Sequence, residues 1–417
     1  MKTKTILLFA ILLNSCFIQA QTITVKQIPD SLYAESFSNT RNYDLAMDSS
    51  GNMWLALEGG LVKMDSDFNI IDYYSESNSG LPHFYCQALA IDTNDHVWVG
   101  SAGGVLAEFD GNETWTTYSP YYDVTGIKIN SQNHVWFHSW NSGIAYYDRT
   151  NFHWYNTQNS EIPSDDTYDL EIQDDSIIWI ATMDSGLARF CNGEFSVFDT
   201  LNSNIASNKI YSIEIDTNNN IVYCGTDKGI SFFDGNNWQN FECVNKRFTQ
   251  YKYKPLLVDS DNYLWFSYYS WSAKKNNEER LLFRYKDNDC YSFSQEELFN
   301  ISFFSMIEIS NNKFALLYTK SVTIIDFNNN IENIDVKGNL SLYPVPATDR
   351  LYIDSEVKMI QSISIRSIFG TVINNYDALN SDHFEMNIKN ITSGLYLVIV
   401  DYNDQTKEYK TFIKQKP

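Results

Sequence analysis

The chain has 417 residues, of which 43% are hydrophobic and 15% aromatic. This length and richness in strand-favouring residues exclude a disordered chain and fit one large all-β domain with a smaller one. The formal net charge of −22 comes without a basic stripe, so we expect no nucleic-acid partner and no attraction to anionic lipid surfaces.

The N-terminal segment MKTKTILLFAILLNSCFIQAQ places two lysines before an apolar run, residues 6–13, and a polar stretch that ends in Ala20. This order is typical of a secretory signal peptide. We therefore expect residues 1–20 to be a signal peptide that is cleaved after Ala20. The apolar run is too short to span a bilayer, and the sequence predicts no transmembrane segment. Cys16 partly matches a lipoprotein cleavage site, although the residues before it fit that motif poorly.

Five further cysteines follow without a recurring spacing: Cys86, Cys191, Cys224, Cys243 and Cys290. An odd number without a C-x-x-C pair predicts neither a disulfide framework nor a zinc site. We expect buried thiols with at most one or two bridges, and no metal or other cofactor.

A repeat organises the middle of the chain. The stretch DSSGNMWLALEGGLVKMD, residues 48–65, recurs as DTNDHVWVGSAGGVLAEFD, NSQNHVWFHSWNSGIAYYD and DTNNNIVYCGTDKGISFFD. Aligned copies are separated by 44, 38, 43, 44, 42 and 49 residues, and their central aromatic residues are Trp54, Trp98, Trp136, Trp179, Tyr223, Trp265 and Phe314. Periods of about 43 residues with four short strands are typical of propeller blades. The repeat predicts a seven-bladed β-propeller over residues 43–336, within a domain of residues 21–337, and residues 23–28 are a candidate closing strand.

The aspartates of the repeat have two readings, a calcium loop or a structural turn. A calcium loop of the helix–loop–helix type needs Gly at its sixth position and a bidentate Glu at its twelfth, which the copies lack. Asp, Asn and Gly are also the residues that tight turns require. We therefore expect these aspartates to be structural.

The copies IDTNDHVWVGSAGGV and IDTNNNIVYCGTDKGI resemble the two-component regulator propeller repeat. That resemblance implies a β-propeller of the kind found in extracellular sensor regions of bacterial hybrid kinases and in secreted proteins. Five copies match well, whereas the sixth and seventh lose the central glycine or the tryptophan.

The repeat stops after residue 337, and the remaining residues, 338–417, read as short alternating strands of a small immunoglobulin-like β-sandwich. The segments LSLYPVPATDRLYID, ISIRSIFGTVI and MNIKNITSGLYLVIV resemble the type A C-terminal sorting domain of type IX secretion substrates. The resemblance implies recognition by an outer-membrane translocon, with release of the protein or its attachment to the cell surface. The residues that carry it are Tyr343, Pro344, Pro346, Gly370, Gly394, Tyr396, Lys410 and Lys414. Val345 departs from the usual Asn between the two prolines.

Candidate ligand-binding residues are those that break the repeat at the turns between the second and third strands of a unit. Trp140 and Trp271 lie outside the tryptophan register, in these turns of units three and six, and exposed aromatic faces suit sugar rings or apolar side chains. His138 stands where other copies carry a small residue such as Ala56 or Gly100.

Charged and aromatic residues at the same end of the repeat extend this set. Charged candidates in the turns are Glu58, Asp184, Asp227 and Lys228. The connections between units carry the aromatic residues Tyr85, Tyr121, Tyr122, Tyr168, Tyr211, Tyr251 and Phe303. Of these, Tyr122 and Tyr168 are the candidates we take forward. Solvated turns and strand edges are the alternative reading of both groups.

The sequence contains no G-x-S-x-G, H-E-x-x-H, C-x-x-C or P-loop motif. We therefore expect a secreted or cell-surface binding module for a polysaccharide or protein partner, without catalysis. The alternatives are a propeller-type polysaccharide lyase or other carbohydrate-active enzyme, in which His138 would act with a tyrosine, and a structural surface protein.

Overall fold

The computed structural model describes the chain in segments. These are residues 3–11, 18–28, 42–120, 122–241, 243, 250–272, 277–287, 289–293, 305–318, 321–326, 340–343, 347–355, 358–367, 372–377, 379–391, 394–404 and 406–414. Within them every regular element is a β-strand. No helix in these segments is long and apolar enough to cross a membrane.

The first two strands are β1 (Thr3–Ile11) and β2 (Ile18–Gln27). Six sheets then follow along the chain, each made of four consecutive antiparallel strands that we call a to d. Blades 1 to 3 contain β3 (Asn42–Met47), β4 (Met53–Leu57), β5 (Gly60–Met64), β6 (Ile70–Tyr74), β7 (Cys86–Ile91), β8 (Val97–Ser101), β9 (Val105–Phe109), β10 (Trp115–Tyr118), β11 (Gly126–Ile129), β12 (Val135–Ser139), β13 (Gly143–Tyr147) and β14 (Phe152–Tyr155). Blades 4 to 6 contain β15 (Thr167–Asp174), β16 (Ile177–Thr182), β17 (Leu187–Cys191), β18 (Glu194–Phe198), β19 (Ile210–Asp216), β20 (Ile221–Thr226), β21 (Ile230–Phe233), β22 (Trp238–Phe241), β23 (Gln250–Val258), β24 (Leu264–Ser272), β25 (Asn277–Lys286) and β26 (Asp289–Phe293).

A seventh sheet closes the ring. It contains β27 (Ser305–Ser310), β28 (Lys313–Tyr318) and β29 (Ser321–Asp326), and β2 lies beside β29 as its fourth strand, with β1 outside β2. The a strand of each blade contacts the a strand of the next, and β27 contacts β3. The seven-bladed propeller and the closing strand at residues 23–28 are therefore confirmed.

In units 1 to 6 the central aromatic residue of the b strand packs against the following blade. Trp54 joins Leu89, Val99 and Phe109 of blade 2 in one buried cluster, and Trp265 lies 4.9 Å from Phe314 of blade 7 between ring centroids. Burying an aromatic side chain of this size stabilises a fold by about 1.5–3 kcal/mol. The repeat therefore places a buried aromatic anchor at six of the seven blade interfaces, and aliphatic residues such as Leu45 and Leu317 fill the interface between blades 7 and 1.

The turns between strands a and b are linked from one blade to the next. The Ser49 amide donates to Asp95 Oδ1 at 2.9 Å, and the Ser131 amide donates to Asp175 Oδ1 at 2.9 Å. Four further turn-to-turn bonds join Thr93 to Asn133, Gln173 to Asn220, Asn218 to Asn262, and Ser260 to Glu308. These polar turns therefore fasten consecutive blades at one end of the propeller.

Met1–Lys4 and Val25–Ile324 belong to one compact unit, and Thr5–Thr24 and Ile325–Pro417 to a second. The second contains β30 (Leu340–Tyr343), β31 (Arg350–Ser355), β32 (Ile360–Ser367), β33 (Val372–Tyr376), β34 (His383–Asn387), β35 (Gly394–Tyr402) and β36 (Lys407–Lys414). The sheets β30-β31-β34 and β33-β32-β35-β36 enclose a core of Leu351, Ile363, Met386 and Val398. This is the small β-sandwich that the tail sequence predicts.

The cysteines form one bridge among the described residues. Cys243, after β22, is bonded to Cys290 in β26, with their Cα atoms 5.8 Å apart. Cys86, Cys191 and Cys224 are free thiols. A single bridge agrees with the expectation of at most one or two, and it ties blade 5 to blade 6.

The repeat aspartates accept hydrogen bonds from the tryptophan six residues later. The indole Nε1 of Trp54 donates to Asp48 at 3.0 Å, and that of Trp265 donates to Asp259 at 2.8 Å. Arg284 also donates to Asp259, at 2.8 Å, inside the protein. In blade 3 the residue is Asn130, and neither its Nδ2 nor Trp136 Nε1 finds an acceptor among the described residues. The structural reading of the aspartates is confirmed.

We expect the substitution Asp259→Asn to lower the free energy of unfolding by about 3 kcal/mol, because an amide there would face two buried donors and leave Arg284 without its counter-ion. Urea denaturation of the purified protein would measure this loss. The exposed neighbour Asp261 provides the control, since Asp261→Asn should change stability by about 0.5 kcal/mol or less. Equal losses in both variants would contradict a special role for the Asp259 carboxylate.

Candidate functional site

The b–c turns and the connections between blades lie at the same end of the propeller, because both occur where an a strand begins. We call this end the upper face. Trp140 lies here, in the turn between β12 and β13, with its side chain 63% exposed. The turn is held by Thr167 of blade 4, whose hydroxyl donates to the carbonyls of Ser139 and Gly143 at 3.2 and 3.0 Å. The indole is thus displayed from a fixed backbone.

Tyr122 lies in the connection that leads into blade 3 and is 46% exposed. Its ring meets the edge of Trp154 at 5.0 Å between centroids, and Trp154 in turn packs on Phe137 at 5.4 Å. The Tyr122 ring therefore packs on the core of blade 3, and part of it faces solvent.

The prediction that Trp271 falls in the b–c turn of blade 6 is wrong. Trp271 belongs to β24, where its backbone pairs with Gln250 and Glu278. The segment SYYSWS, residues 267–272, contains no turn residue such as glycine, so the strand continues and the ladder runs on to Ser272 and Asn277. The side chain of Trp271 lies outside the described residues.

The four charged candidates differ in their surroundings. Glu58 is only 3% exposed, and its backbone pairs with Tyr85 of blade 2, so it is not a solvated turn residue. Asp184 is exposed and accepts from Ser185 Oγ at 3.0 Å. Lys228 is exposed, whereas one carboxylate oxygen of Asp227 is buried with no hydrogen-bond donor among the described residues.

Aromatic residues at the start of the a strands surround the entrance to the propeller axis. The rings of Tyr168 and Tyr211 meet edge to face at 6.2 Å, and the Tyr43 hydroxyl donates to Tyr85 at 2.7 Å. Lys252 places its Nζ 4.9 Å from the Tyr211 ring centroid. Tyr121 and Phe303 lie outside the described residues, as does the Tyr251 side chain.

Between the a strands lies a cavity of about 190 Å³, which we call the axial cavity. All seven blades contribute to its lining. Its charged and imidazole side chains are Asp44, Lys128, His138, Asp169, Glu171, Glu214 and Lys254. A cavity with so many ionisable groups is a candidate functional site, because perturbed groups cluster where ligands bind.

His138 lines this cavity and is only 4% exposed. It pairs across the sheet with Gly126, and a Cβ atom on Gly126 would lie 2.2 Å from the His138 Nε2 atom. The imidazole therefore fills the space that the missing side chain leaves. Its Nδ1 lies 3.1 Å from the Thr125 hydroxyl. Burial lowers the pKa of His138 to about 4, so the ring is neutral at pH 7.

Two aspartates of the lining join neighbouring blades. Asp44 accepts from the amide of Leu89 in blade 2 at 3.1 Å. Asp169, at the matching position of blade 4, accepts from the amide of Ile213 in blade 5 at 2.9 Å. Lys254 occupies this position in blade 6, and burial lowers the pKa of its amine. The same position of the a strand therefore holds an aspartate that bonds to the next blade in blades 1 and 4, and a lysine in blade 6.

Lys128, Glu171 and Glu214 form a charged row on the a strands of blades 3 to 5. Lys128 makes an ion pair with Glu171. Burial opposes the charge of Lys128, but the neighbouring carboxylates outweigh it and raise the pKa of the amine. Burial raises the pKa of Glu171 to about 6, and burial together with Glu171 raises the pKa of Glu214 to about 8. Glu214 is thus mostly protonated at pH 7.

Of the residues that line this cavity, the sequence singles out His138, Tyr168 and Tyr211 but not the charged side chains. The charged side chains lie on the a strands, whereas most of the predicted candidates lie in turns and connections. Lys128 and Glu171 each stand eight residues before the central tryptophan of their unit, where units 1 and 2 carry Ala46 and Ala90. A charge at a position that is alanine in sister copies is the signal that would have identified them.

One group of side chains has the spacing of a metal site. Ligand atoms of Asp92, His96 and Glu108 lie within 4.8 Å of one another. However, Glu108 accepts from Arg149 at 2.7 Å and from Tyr118 at 2.8 Å. The guanidinium already neutralises these carboxylates, so the arrangement fits an ion-pair network between blades 2 and 3 better than a metal centre.

The sorting-signal residues fall in the sandwich. Tyr343 ends β30, Gly394 begins β35, Tyr396 is buried in the core, and Lys410 and Lys414 lie on β36. Pro344, Pro346 and Gly370 lie outside the described residues.

Residues 341–415 match the family described as Secretion system C-terminal sorting domain. This is a type IX secretion sorting domain. The protein is therefore handled by the type IX secretion system and is secreted or displayed at the cell surface. No curated protein matches the sequence.

Solved structures share the fold of the chain. The extracellular domain of BT3049 from B. thetaiotaomicron, described as a hybrid two-component system, has 14% identity and a TM-score of 0.58. The extracellular domain of BT4673 from the same organism has 13% identity and a TM-score of 0.57. Both alignments cover 94% of this chain but only 59% of the other. YCF48 bound to D1 peptide has 12% identity and a TM-score of 0.52, over 72% of this chain and 94% of that one. At these identities the likeness concerns the fold alone.

We expect protonation of His138 to destabilise the native protein. The folded pKa lies below that of an unfolded histidine, so the unfolded state binds more protons and stability falls as the pH drops from about 6.5 towards 4, by roughly 3 kcal/mol. The difference in unfolding free energy between the wild type and His138→Gln should change by this amount over the same range. His83→Gln provides the control. A pH-independent difference for His138→Gln would contradict a buried neutral imidazole.

We expect deletion of residues 338–417 to leave the propeller in the periplasm, because the translocon would find no sorting domain. Cell fractionation and immunoblotting would follow the truncated protein beside the full chain. Fusion of residues 338–417 to a periplasmic reporter supplies the converse test and should bring the reporter outside. Truncated protein in the medium at the level of the full chain would contradict the role of the tail.

Proposed function

We propose that this protein is a non-catalytic binding module, secreted or held at the cell surface, whose upper face binds a polysaccharide. The observation that carries the proposal is the exposure of Trp140. Among the tryptophans whose side chains the structure describes, the other eight are buried or half-buried in blade cores. An indole in water is unfavourable unless a partner covers it, and its flat face suits a sugar ring.

The surroundings of Trp140 support this assignment. Tyr122 at the entry to the same blade is partly exposed, and both aromatic rings rise from a backbone that the blade core holds in place. Aromatic side chains on a fixed backbone lose little conformational entropy when a ligand binds. Since the chain carries a net charge of −22, a neutral polysaccharide fits better than a polyanionic one.

A lyase would need a base at the same face. His138 is neutral at pH 7, but its Nε2 packs against Gly126 inside the protein. Burial and the charge of Asp227 raise the pKa of Tyr211, which makes its hydroxyl a weaker candidate for proton abstraction. These properties favour binding over catalysis.

A peptide partner is the second candidate. YCF48, which shares the propeller fold, is seen bound to D1 peptide. Leu201 in the connection between blades 4 and 5 is 92% exposed, so the upper face also offers an aliphatic contact for a protein surface.

We also propose that residues 1–20 are a signal peptide that is removed during export. Cleavage after Ala20 removes β1 and the first three residues of β2 and leaves the rest of β2 beside β29. The propeller therefore keeps its closing strand in the exported form. N-terminal sequencing of the exported protein would show whether it begins at Gln21.

We expect Trp140→Ala to weaken polysaccharide binding at least tenfold, since stacking on an aromatic ring contributes about 1–3 kcal/mol in comparable contacts. A glycan panel with the purified protein identifies the ligand, and isothermal titration measures the loss. Leu201→Ala, which removes an exposed apolar residue elsewhere on the upper face, is the matched control and should keep full affinity.

Three results would contradict the proposal. New reducing or unsaturated ends in the bound glycan would establish catalysis instead. Equal losses of affinity in Trp140→Ala and Leu201→Ala would mean that the glycan binds exposed apolar residues non-specifically. Absence of any glycan ligand, with a protein captured in a Trp140-dependent manner, would favour the peptide partner.

A further inference from the structure

The charges that line the axial cavity do not balance. Its ionisable side chains are four carboxylates, two lysines and a neutral histidine: Asp44, Asp169, Glu171, Glu214, Lys128, Lys254 and His138. Lys128 is paired with Glu171. The negative charges of Asp169 and Asp44 favour the protonated form of Lys254. Among the described residues no ion pair involves Glu214. Even with Glu214 protonated, the lining holds three further carboxylates, Asp44, Asp169 and Glu171, against two lysines.

The hydrogen-bond acceptors of the cavity include a neutral group as well. The side-chain carbonyl oxygen of Gln87 lines the same cavity, is buried, and receives no hydrogen bond among the described residues. An unmet buried acceptor costs about 1–3 kcal/mol. The Gln87 carbonyl therefore adds a neutral hydrogen-bond acceptor to the carboxylates of the lining.

A metal ion does not fit this lining well. The only described set of three ligand atoms within 4.8 Å of one another is the Asp92 group at the far side of blade 2. The cavity carboxylates thus do not converge as a divalent cation requires, and two lysines stand among them. A group with several directed N–H donors suits separated acceptors better.

The entrance suits a cation as well. Tyr43, Tyr168 and Tyr211 all reach the cavity from the upper end. The Lys252 ammonium already lies 4.9 Å from the centroid of the Tyr211 ring, which is the spacing of a cation–π contact. The aromatic rings therefore offer a favourable path for a second ammonium group.

We propose that the axial cavity binds the primary ammonium group of a small ligand, with the Glu214 carboxylate as its counter-ion and the Gln87 carbonyl as a further acceptor. This site is separate from the proposed role of Trp140, and either can fail without the other.

Binding should release a proton near neutral pH. The pKa of Glu214 is about 8, raised by burial and Glu171, so the carboxyl must ionise to pair with the ligand. The affinity should rise between pH 6 and pH 8.5, while the amine stays charged. The other groups that face this carboxyl or share its cavity are Lys128, Glu171, Asp169, Lys254, Asp44 and His138.

Titration calorimetry of the purified protein with pentylamine hydrochloride at pH 8.5 tests the site. Pentan-1-ol, which has the same shape without the charge, should give no saturable heat, and calcium chloride should bind more weakly than the amine. We expect Glu214→Gln to weaken pentylamine binding at least tenfold. Glu194→Gln, which changes an exposed glutamate on β18, should leave it unchanged.

Gln87→Met gives a second reading if Glu214→Gln does not fold, and it should weaken binding several-fold. The proposal is overturned if the folded wild type shows no saturable binding of pentylamine, or if the alcohol binds equally well. It is also overturned if neither variant changes the affinity, or if calcium binds more tightly and loses its affinity in Glu214→Gln.

Discussion

The structure depends on one constraint: a four-stranded blade has two apolar faces and can bury them only against its neighbours. The b-strand aromatic residue meets this constraint by reaching into the next blade, as Trp54 does in blade 2 and Trp265 does towards Phe314. Its one polar atom, the indole nitrogen, is then satisfied by the aspartate of the preceding turn. The ring closes where β27 contacts β3 and the aliphatic cores of blades 7 and 1 meet.

Closure of the ring leaves some regions of the propeller freer than others to depart from the repeat sequence. The b and c strands are committed to packing, and the a–b turns fasten neighbouring blades through pairs such as Ser49 and Asp95. The upper turns and the inner face of the a strands carry fewer such contacts, such as the bonds that Asp44 and Asp169 accept from the next blade. It is in these regions that the chain departs from its own repeat, with Trp140 on the upper face and a row of charges in the axial cavity. Departures there change the surface offered to a ligand while the b and c strands keep their packing.

The sequence predicts the ring well because its signal is local and repeated. The tryptophan spacing, the turn aspartates and the motifs of the tail each lie within one short stretch. Cross-strand relations are different. His138 stands where other copies carry a small residue, and its partner explains why. It pairs with Gly126, twelve residues earlier, and the imidazole fills the space of the side chain that Gly126 lacks. The sequence alone does not show this pairing. The cavity charges come from five separate strands, and Trp271 joins a strand because the segment from Ser267 to Ser272 contains no turn residue. Such features depend on which residues meet in space, which spacing along one strand does not fix.

Blade 3 shows how the ring accommodates a deviant unit. It carries Asn130 in place of the turn aspartate, and two buried donors, Asn130 Nδ2 and Trp136 Nε1, find no acceptor in the part of the chain that the structure describes. This unit therefore lacks the hydrogen bond that holds Trp54 and Trp265 in theirs. Its neighbours compensate, since Ser131 bonds to blade 4 and Arg149 reaches the carboxylates of blade 2. Because a blade in a closed ring is held from both sides, one unit can lose part of its own stabilisation and remain folded. The same unit carries Trp140 on the upper face and His138 in the axial cavity, so a blade that lacks one of its own hydrogen bonds supplies both of these candidate residues.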